Sequence, residues 1–443
     1  MTKLNIVNDV IKKALKLGVT DVDAIIVDSL SIGAEVRLDN VVNIERSEDM
    51  ALGIRVVING SQAIVSTSDL SDESLDKMIE RSIDMAKVTP TNPHIFLASS
   101  DQIAKDIKDL ELYDNDEPSA ENLIEKARIM EQSALSNKLI TNSNGASAGY
   151  SSNQIYFATS KGFSHSYQTS ASSLSVSVIA GKDENMQTDY AYSQARFGQD
   201  LKTPEELGFK AAERVLKKLN PIKIATCEIP VIFDKRMARR ILAAFASGVN
   251  GSSISRGTSF LVDNMDKKIF NPNINIIDDP FIIRGQGSRP FDAEGIEGSK
   301  LNMIEKGILK NYFLDLQTAS KLNMKTTARA IRGLSSSPSP SITNLYIEAG
   351  DNSLEDMIKS VKRGLLITEV FGHGANIITG DYSQGASGFL IENGEITSPV
   401  SEITIASNLK TIFSHMIPAS DLKFESNINS PSLFIERMTV AGV

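Results

Sequence analysis

Leu52-Gly-Ile-Arg-Val-Val-Ile58, followed by Asn59-Gly60 and the return Ala63-Ile-Val65, is the stretch whose reading decides the fold of the first third. Its first arm is rich in β-branched residues. Asn-Gly suits the two positive-φ positions of a type I′ turn, so the segment reads as a hairpin. Upstream, Leu4, Val7, Ile11, Ala14 and Leu15 recur at helical spacing among lysines, and Gly18 ends that amphipathic helix. Asp21 to Ser29 reads as a strand and Ala34 to Ile44 as another. Downstream, Ser71 can cap a helix with Asp72 and Glu73 in its first turn. That helix buries Leu75, Met78, Ile79, Ile83 and Ala86 and stops before Pro90. Helix, strands, hairpin, helix is an α+β order.

The pattern continues through a proline- and acid-rich connection, 89–118, into a second unit that starts with a helix near Ser119 to Leu135 and goes on in a β-rich run from Lys138 to Ala195. Ser173-Leu-Ser-Val-Ser-Val178 alternates strictly, as a strand with one wet face should. Thr203-Pro-Glu-Glu206 is a capping box opening a helix to about Leu219. Asn220 to Ala225 marks a boundary. Beyond it come a strand (Glu228 to Phe233), a helix capped by Asp234 that runs to Ser247, and Gly/Ser/Asn-rich β segments. These include a hairpin at Lys300 to Tyr312, a short helix at Leu314 to Leu322, and strands within Ile377 to Ile396 and Ser432 to Val440. The expected fold class is α+β: an N-terminal mixed helix and antiparallel-sheet part (1–220, divisible into units 1–90 and 119–220), then a β-rich C-terminal domain with few helices (226–443). No repeat period points to a solenoid or propeller.

Composition narrows the function. With 46 basic against 55 acidic residues the net charge is −9, which disfavours direct nucleic-acid binding. A lone cysteine, Cys227, forms no intrachain disulfide, which points to a reducing compartment. The N-terminal helix is charged, unlike a signal peptide, and no apolar run is long enough for a membrane span, so the expectation is a cytoplasmic protein. Four histidines and one cysteine rule out a zinc site of four cysteines, or of two cysteines and two histidines.

Motif searches return little. Gly285-Gln-Gly287 lacks the third glycine of a dinucleotide loop, and no phosphate-binding Gly-x-x-x-x-Gly-Lys occurs. Gly380-Asp-Tyr-Ser-Gln-Gly385 misses the serine nucleophile elbow by one residue; glycines permitting a tight β-loop are the simpler reading. His94, His165 and His415 read as structural or surface histidines. His373, between two glycines, is the best functional candidate.

The C-terminal half carries a resemblance. Thr379-Gly-Asp-Tyr-Ser-Gln-Gly-Ala-Ser-Gly-Phe389, Glu392-Asn-Gly-Glu395 and Glu402-Ile-Thr-Ile-Ala406 resemble the PmbA (TldE) branch of the TldD/PmbA family. Asp189-Tyr-Ala-Tyr192, Phe291-Asp-Ala-Glu-Gly295, Ser337-Pro-Ser-Pro340 and Met438-Thr-Val-Ala-Gly442 agree, in family order, over nearly the whole chain. The resemblance implies a zinc peptidase system of two related chains. The TldD-type chain bears His-Glu-x-x-x-His on a helix, plus a C-terminal cysteine ligand. Counting back from Arg256-Gly-Thr-Ser-Phe260 puts Leu242, Ala243 and Ser247 at those motif positions here. No histidine lies between His165 and His373, and no cysteine follows Cys227.

The expectation that follows is a metal-free subunit with no catalytic or metal-binding residue of its own. It would form a heterodimer with a TldD-type zinc subunit and act on unfolded or leader peptides. His373, Asp381, Ser383, Gln384 and Ser387 are its candidate peptide-lining residues, and it would self-associate as a homodimer when the partner is absent. The rival reading is a non-enzymatic protein-binding modulator, for example of DNA gyrase. A third is a homodimer acting through His373.

Overall fold

The computed structural model describes residues 2–372 and 374–442. In the first half, β1 (Asp21–Arg37), β2 (Asn40–Ile58), β3 (Ser61–Thr67), β4 (Ile140–Thr159), β5 (Ser164–Ala180) and β6 (Gln187–Ala195) form one antiparallel sheet in the order β3-β2-β1-β4-β5-β6. The β1–β4 ladder therefore joins 1–90 and 119–220 in a single sheet. Ile58 pairs with Ser61 across Asn59 and Gly60, both at positive φ, as the hairpin reading requires. The expected separate strand from Ala34 to Ile44 does not form. β1 runs unbroken to Arg37, and the chain reverses at Leu38 and Asp39, at φ 49° and 65°. What holds that turn is remote in sequence: the wholly buried Glu131 carboxylate accepts the Leu38 N–H at 2.9 Å and the Asp39 N–H at 3.0 Å.

Period-two alternation puts the even residues of β1 on one face. Val22, Ala24 and Ile26 meet α1 (Lys3–Lys16) and α2 (Asp72–Val88) through Val10, Ile11, Leu75 and Ile79. Farther along, Ile32, Ala34 and Val36 meet α3 (Ala120–Leu135) and α4 (Pro204–Lys217) through Ala127, Met130, Leu207 and Ala211. All four helices thus cover one face, each fully buried Leu or Ile contributing about 1.5–3 kcal/mol. Ser71, Ser119 and Thr203 cap α2, α3 and α4 as their sequences dictate. Helices α3 and α4 touch at Gly208, where a Cβ would stand 2.3 Å from the Met130 carbonyl oxygen.

The second half is β-rich. Its main sheet holds β7 (Cys227–Phe233), β14 (Arg363–Phe371), β15 (Asp381–Glu392), β16 (Glu395–Asn408), β17 (Met416–Pro418) and β19 (Leu433–Ala441), in the order β16-β15-β14-β7-β19-β17. A second sheet orders β10 (Ile308–Leu309), β9 (Leu301–Glu305), β8 (Ile276–Asp279), β13 (Asn344–Ile347) and β18 (Ile428–Asn429), and β11 (Ala330–Ile331) pairs with β12 (Ser339–Pro340). The longest helix here is α5 (Lys235–Gly248), capped by the Asp234 side chain on Met237 N. Among the described residues, four short helices complete this half: α6 (Gly251–Ser255), α7 (Leu316–Lys321), α8 (Leu354–Lys359) and α9 (Leu409–His415). Phe245 of α5 meets Phe270 edge-on at 5.2 Å, and Phe270 stacks on Phe413 at 4.3 Å, fixing α5 in the core.

The halves meet across the helix-free face of the first sheet. Phe291 contacts Phe163 and Tyr167 edge-on, at 4.8 and 5.1 Å between ring centres. Gly53 lies so close to the Leu334 carbonyl, 2.1 Å from where a Cβ would be, that only glycine fits. The chain is an α+β protein with a β-rich C-terminal half. Among the described residues no helix is long and apolar enough to cross a membrane.

Candidate functional site

Strand β15 carries four of the five candidate lining residues, and its alternation sorts them. Asp381 and Ser383 face outward and are exposed, while Gln384 points inward at 5% exposure. Asp381 is tied locally: it accepts the Thr379 hydroxyl at 2.7 Å and the Asn408 amide at 3.2 Å. The Ser383 N–H donates to the Gly374 carbonyl at 2.8 Å. Gln384 spends its side chain inside the protein, accepting the Tyr382 hydroxyl at 2.8 Å and donating to the Gly372 carbonyl at 3.0 Å. A Cβ on Gly374 would sit 2.5 Å from Gln384 Oε1, so the loop lies flat on this amide. His373, the fifth candidate, lies outside the described residues.

Asp381, Ser383 and Gln384 therefore converge on the loop between β14 and β15. Ser387 stands apart, donating to Glu369 Oε2 at 3.0 Å. Glu369 in turn meets the buried Lys218 Nζ at 2.6 Å, and Lys218 also reaches Asp189 at 3.3 Å. Arg236, at the start of α5, joins Asp189 and Asp234. Burial pushes the Asp234 carboxyl above its usual range, against the pull of Arg236. Burial likewise raises the Tyr382 phenol, with Arg240 opposing it, so the phenol stays protonated as a donor to Gln384.

Local reading of the sequence misses this ion network because its members come from β6, the C-cap of α4, the start of α5 with its N-cap, and β14. It also misses Phe371 and Ile378, which flank the loop with 51% and 60% of their surface exposed. Two large apolar side chains in water beside an exposed serine and aspartate make a surface able to contact an extended chain.

The other histidines take structural positions. His94 Nδ1 lies 2.9 Å from the Ser320 hydroxyl, the His165 ring packs 5.1 Å from Phe163, and His415 Nδ1 lies 2.9 Å from the Thr411 carbonyl. On α5, Leu242 is 1% exposed in the aromatic core and Ala243 offers only a methyl group. The Ser247 hydroxyl donates back to the Ala243 carbonyl at 3.0 Å. This donor set does not fit zinc, which needs imidazole, thiolate or carboxylate. Among the described residues, no group of three or more His, Cys, Asp or Glu is arranged to hold a metal.

An α+β chain of this build has relatives. Residues 22–86, 113–219 and 226–442 match, in turn, the PmbA/TldA metallopeptidase domain 1, central domain and C-terminal domain. The chain belongs to the PmbA/TldD metallopeptidase family, in its PmbA branch. It is 36% identical to the Metalloprotease PmbA homolog of Haemophilus influenzae, over 94% of this chain and 90% of that one. It is also 36% identical to Metalloprotease PmbA of Escherichia coli O157:H7, over 93% and 90%. Its fold matches a Bacteroides thetaiotaomicron crystal structure named as a candidate modulator of a DNA gyrase. The TM-score is 0.92 at 28% identity, covering 99% of this chain and 98% of that one.

Proposed function

We propose that this chain is the metal-free subunit of a heteromeric zinc metallopeptidase, which completes the substrate chamber and holds an extended, unfolded or leader peptide. The carrying observation is the α5 face: the family architecture is retained from end to end, yet Leu242, Ala243 and Ser247 give neither a zinc ligand nor a general base. Zinc then resides in a TldD-type partner. The loop beside Phe371 that carries Ile378, with the exposed Asp381 and Ser383 and with Gln384 bracing it from inside, is the surface offered to peptide, its glycines allowing close backbone approach. The test is to purify the chain alone and with a TldD-type chain. Alone it should bind no stoichiometric zinc and cleave no casein or leader peptide; together they should cleave, and chelator should stop it. Metal-dependent cleavage by the lone chain would sink the proposal.

The name given to the Bacteroides relative favours a second reading, a modulator that binds gyrase protein. The net charge of −9 argues against direct contact with DNA. Affinity capture returning gyrase, and no TldD-type chain, would favour it.

A further inference from the structure

Between the helix-free face of the first sheet and the C-terminal half lies a cavity of about 160 Å³, several times the space one ordered water needs. Ile25 and Phe157, register partners on β1 and β4, form its apolar floor, with Phe291 as one wall. Tyr167, Arg289 and Arg332 bring the polar groups.

Those polar groups are under-partnered. Among the described residues, the Arg289 side chain makes no hydrogen bond or ion pair, and its Nε and Nη2 are sealed from water. Asp292, the acid that acts most strongly on Arg289, is committed to backbone: Oδ1 accepts from the Glu294 and Ile296 N–H groups, and Oδ2 from that of Ala330. The Arg332 side chain is fully buried. Its Nη1 pairs with Asp23 Oδ1, but its Nη2 has no partner. Asp23 is shared, since Oδ2 takes the Arg55 Nε at 2.6 Å. Arg289 and Arg332 thus keep unpartnered nitrogens, while Asp23 is shared between Arg332 and Arg55 and Asp292 is saturated by backbone N–H groups. Burial pulls the Arg289 pKa down, against the pull of Asp292. A buried cation left in this state is costly unless something anionic enters.

We propose that this interdomain cavity binds a small organic carboxylate, its oxygens taken by Arg289 and Arg332 and its hydrocarbon part by Ile25, Phe157 and Phe291. The apolar floor selects against a bare inorganic anion, whose charge would leave most of the wall unmatched. The planar guanidinium fork suits a carboxylate held by two hydrogen bonds. The volume excludes a nucleotide. The acid can come as a free molecule or as the C-terminal residue of a peptide. The site reads the same way whichever subunit role the chain performs, so it does not depend on the peptidase proposal. It also absorbs the Phe291-Asp-Ala-Glu-Gly295 motif, whose aspartate braces the cavity wall.

The experiment is a melting-temperature and calorimetric titration of the full chain with phenylacetate, phenylacetamide, Gly-Gly-Phe and Gly-Gly-Phe amide. Saturable stabilisation by an acid and not by its amide is expected. Phenylacetate binding identifies a free acid, and Gly-Gly-Phe alone a peptide end. Arg289→Met should melt no lower than the parent without ligand, because it removes an unpaired charge, and should lose at least tenfold in affinity. Ile331→Trp, at the exposed mouth, leaves the core untouched and should weaken binding at least fivefold. No saturable binding of either acid, or equal binding of the amides or by Arg289→Met, would overturn the proposal and leave ordered water as the occupant.

Discussion

Lys218 Nζ stands 2.6 Å from Glu369 Oε2, an ion pair that fastens the end of α4 to β14 across the two halves of the chain. The lysine side chain is 8% exposed and has Asp189 as its second partner. Removing one member of a buried pair costs about 3–5 kcal/mol, because the other charge is stranded. Glu369 is 34% exposed, which points to the lower end of that range.

Lys218→Met should therefore lose about 3 kcal/mol, read as a lower urea midpoint. Glu369→Gln alone should cost less, and the double variant less than the sum. Strict additivity in that cycle would show that the pair does not couple the halves.

Glu131 lends itself to a sharper substitution. Its two oxygens accept the Leu38 and Asp39 N–H groups, so Glu131→Gln must turn an amide NH₂ toward one backbone donor. One part-buried N–H is then unpaired, at about 1 kcal/mol. Hydrogen exchange should quicken at Leu38 or Asp39. Unchanged exchange at both would contradict this account of the turn.

Gly208→Ala sets two magnitudes against each other. Alanine gains about 1 kcal/mol in helix propensity. Its Cβ would meet Met130 O at 2.3 Å and Ser133 Cβ at 2.7 Å, and overpacking costs about 1–3 kcal/mol. The clash involves backbone, so it wins, and the melting temperature should fall. A rise would mean that α3 and α4 slide apart freely.

Glu294 makes stability depend on pH. Burial first, then Asp292 and Asp315, hold its carboxyl well above the usual range. A carboxyl with a raised folded pKa keeps its proton better in the native state. Its contribution is complete below the unfolded value of about 4.3 and is lost as pH rises through the folded value. Glu294→Gln, which still offers an acceptor to Leu316 N, should be more stable than the parent at pH 8. The advantage should shrink toward pH 5. Equal differences at both pH values would refute the assignment.

What could be read from sequence was what neighbours in sequence decide. The Asn59-Gly60 turn, the Ser71, Ser119, Thr203 and Asp234 caps, and the Leu174, Val176 and Val178 alternation are all local, and all are present. At Thr203 only half of the capping box forms: Glu206 N reaches Thr203 Oγ1. The Leu38-Asp39 turn escaped because a glutamate on α3 holds it and no glycine marks it. Arg289 and Lys218 escaped for the same reason, since what surrounds each comes from elements far apart in the chain. The site loop was visible as glycines, but that Gln384 is its inward clamp depends on strand parity, which only the register reveals.

The β1–β4 ladder bears on synthesis as well as on the finished fold. Ser29 bonds to Asn153 across 124 residues of chain, so β1 is born with only β2 beside it. A ribosome adding about 5–20 residues per second leaves that edge open for roughly 6–25 s before its partner residue on β4 is added. Through that interval the nascent hairpin can pair with any extended strand nearby, its own ribosomal neighbours included. A chain that stops before residue 140 would keep the edge open for good.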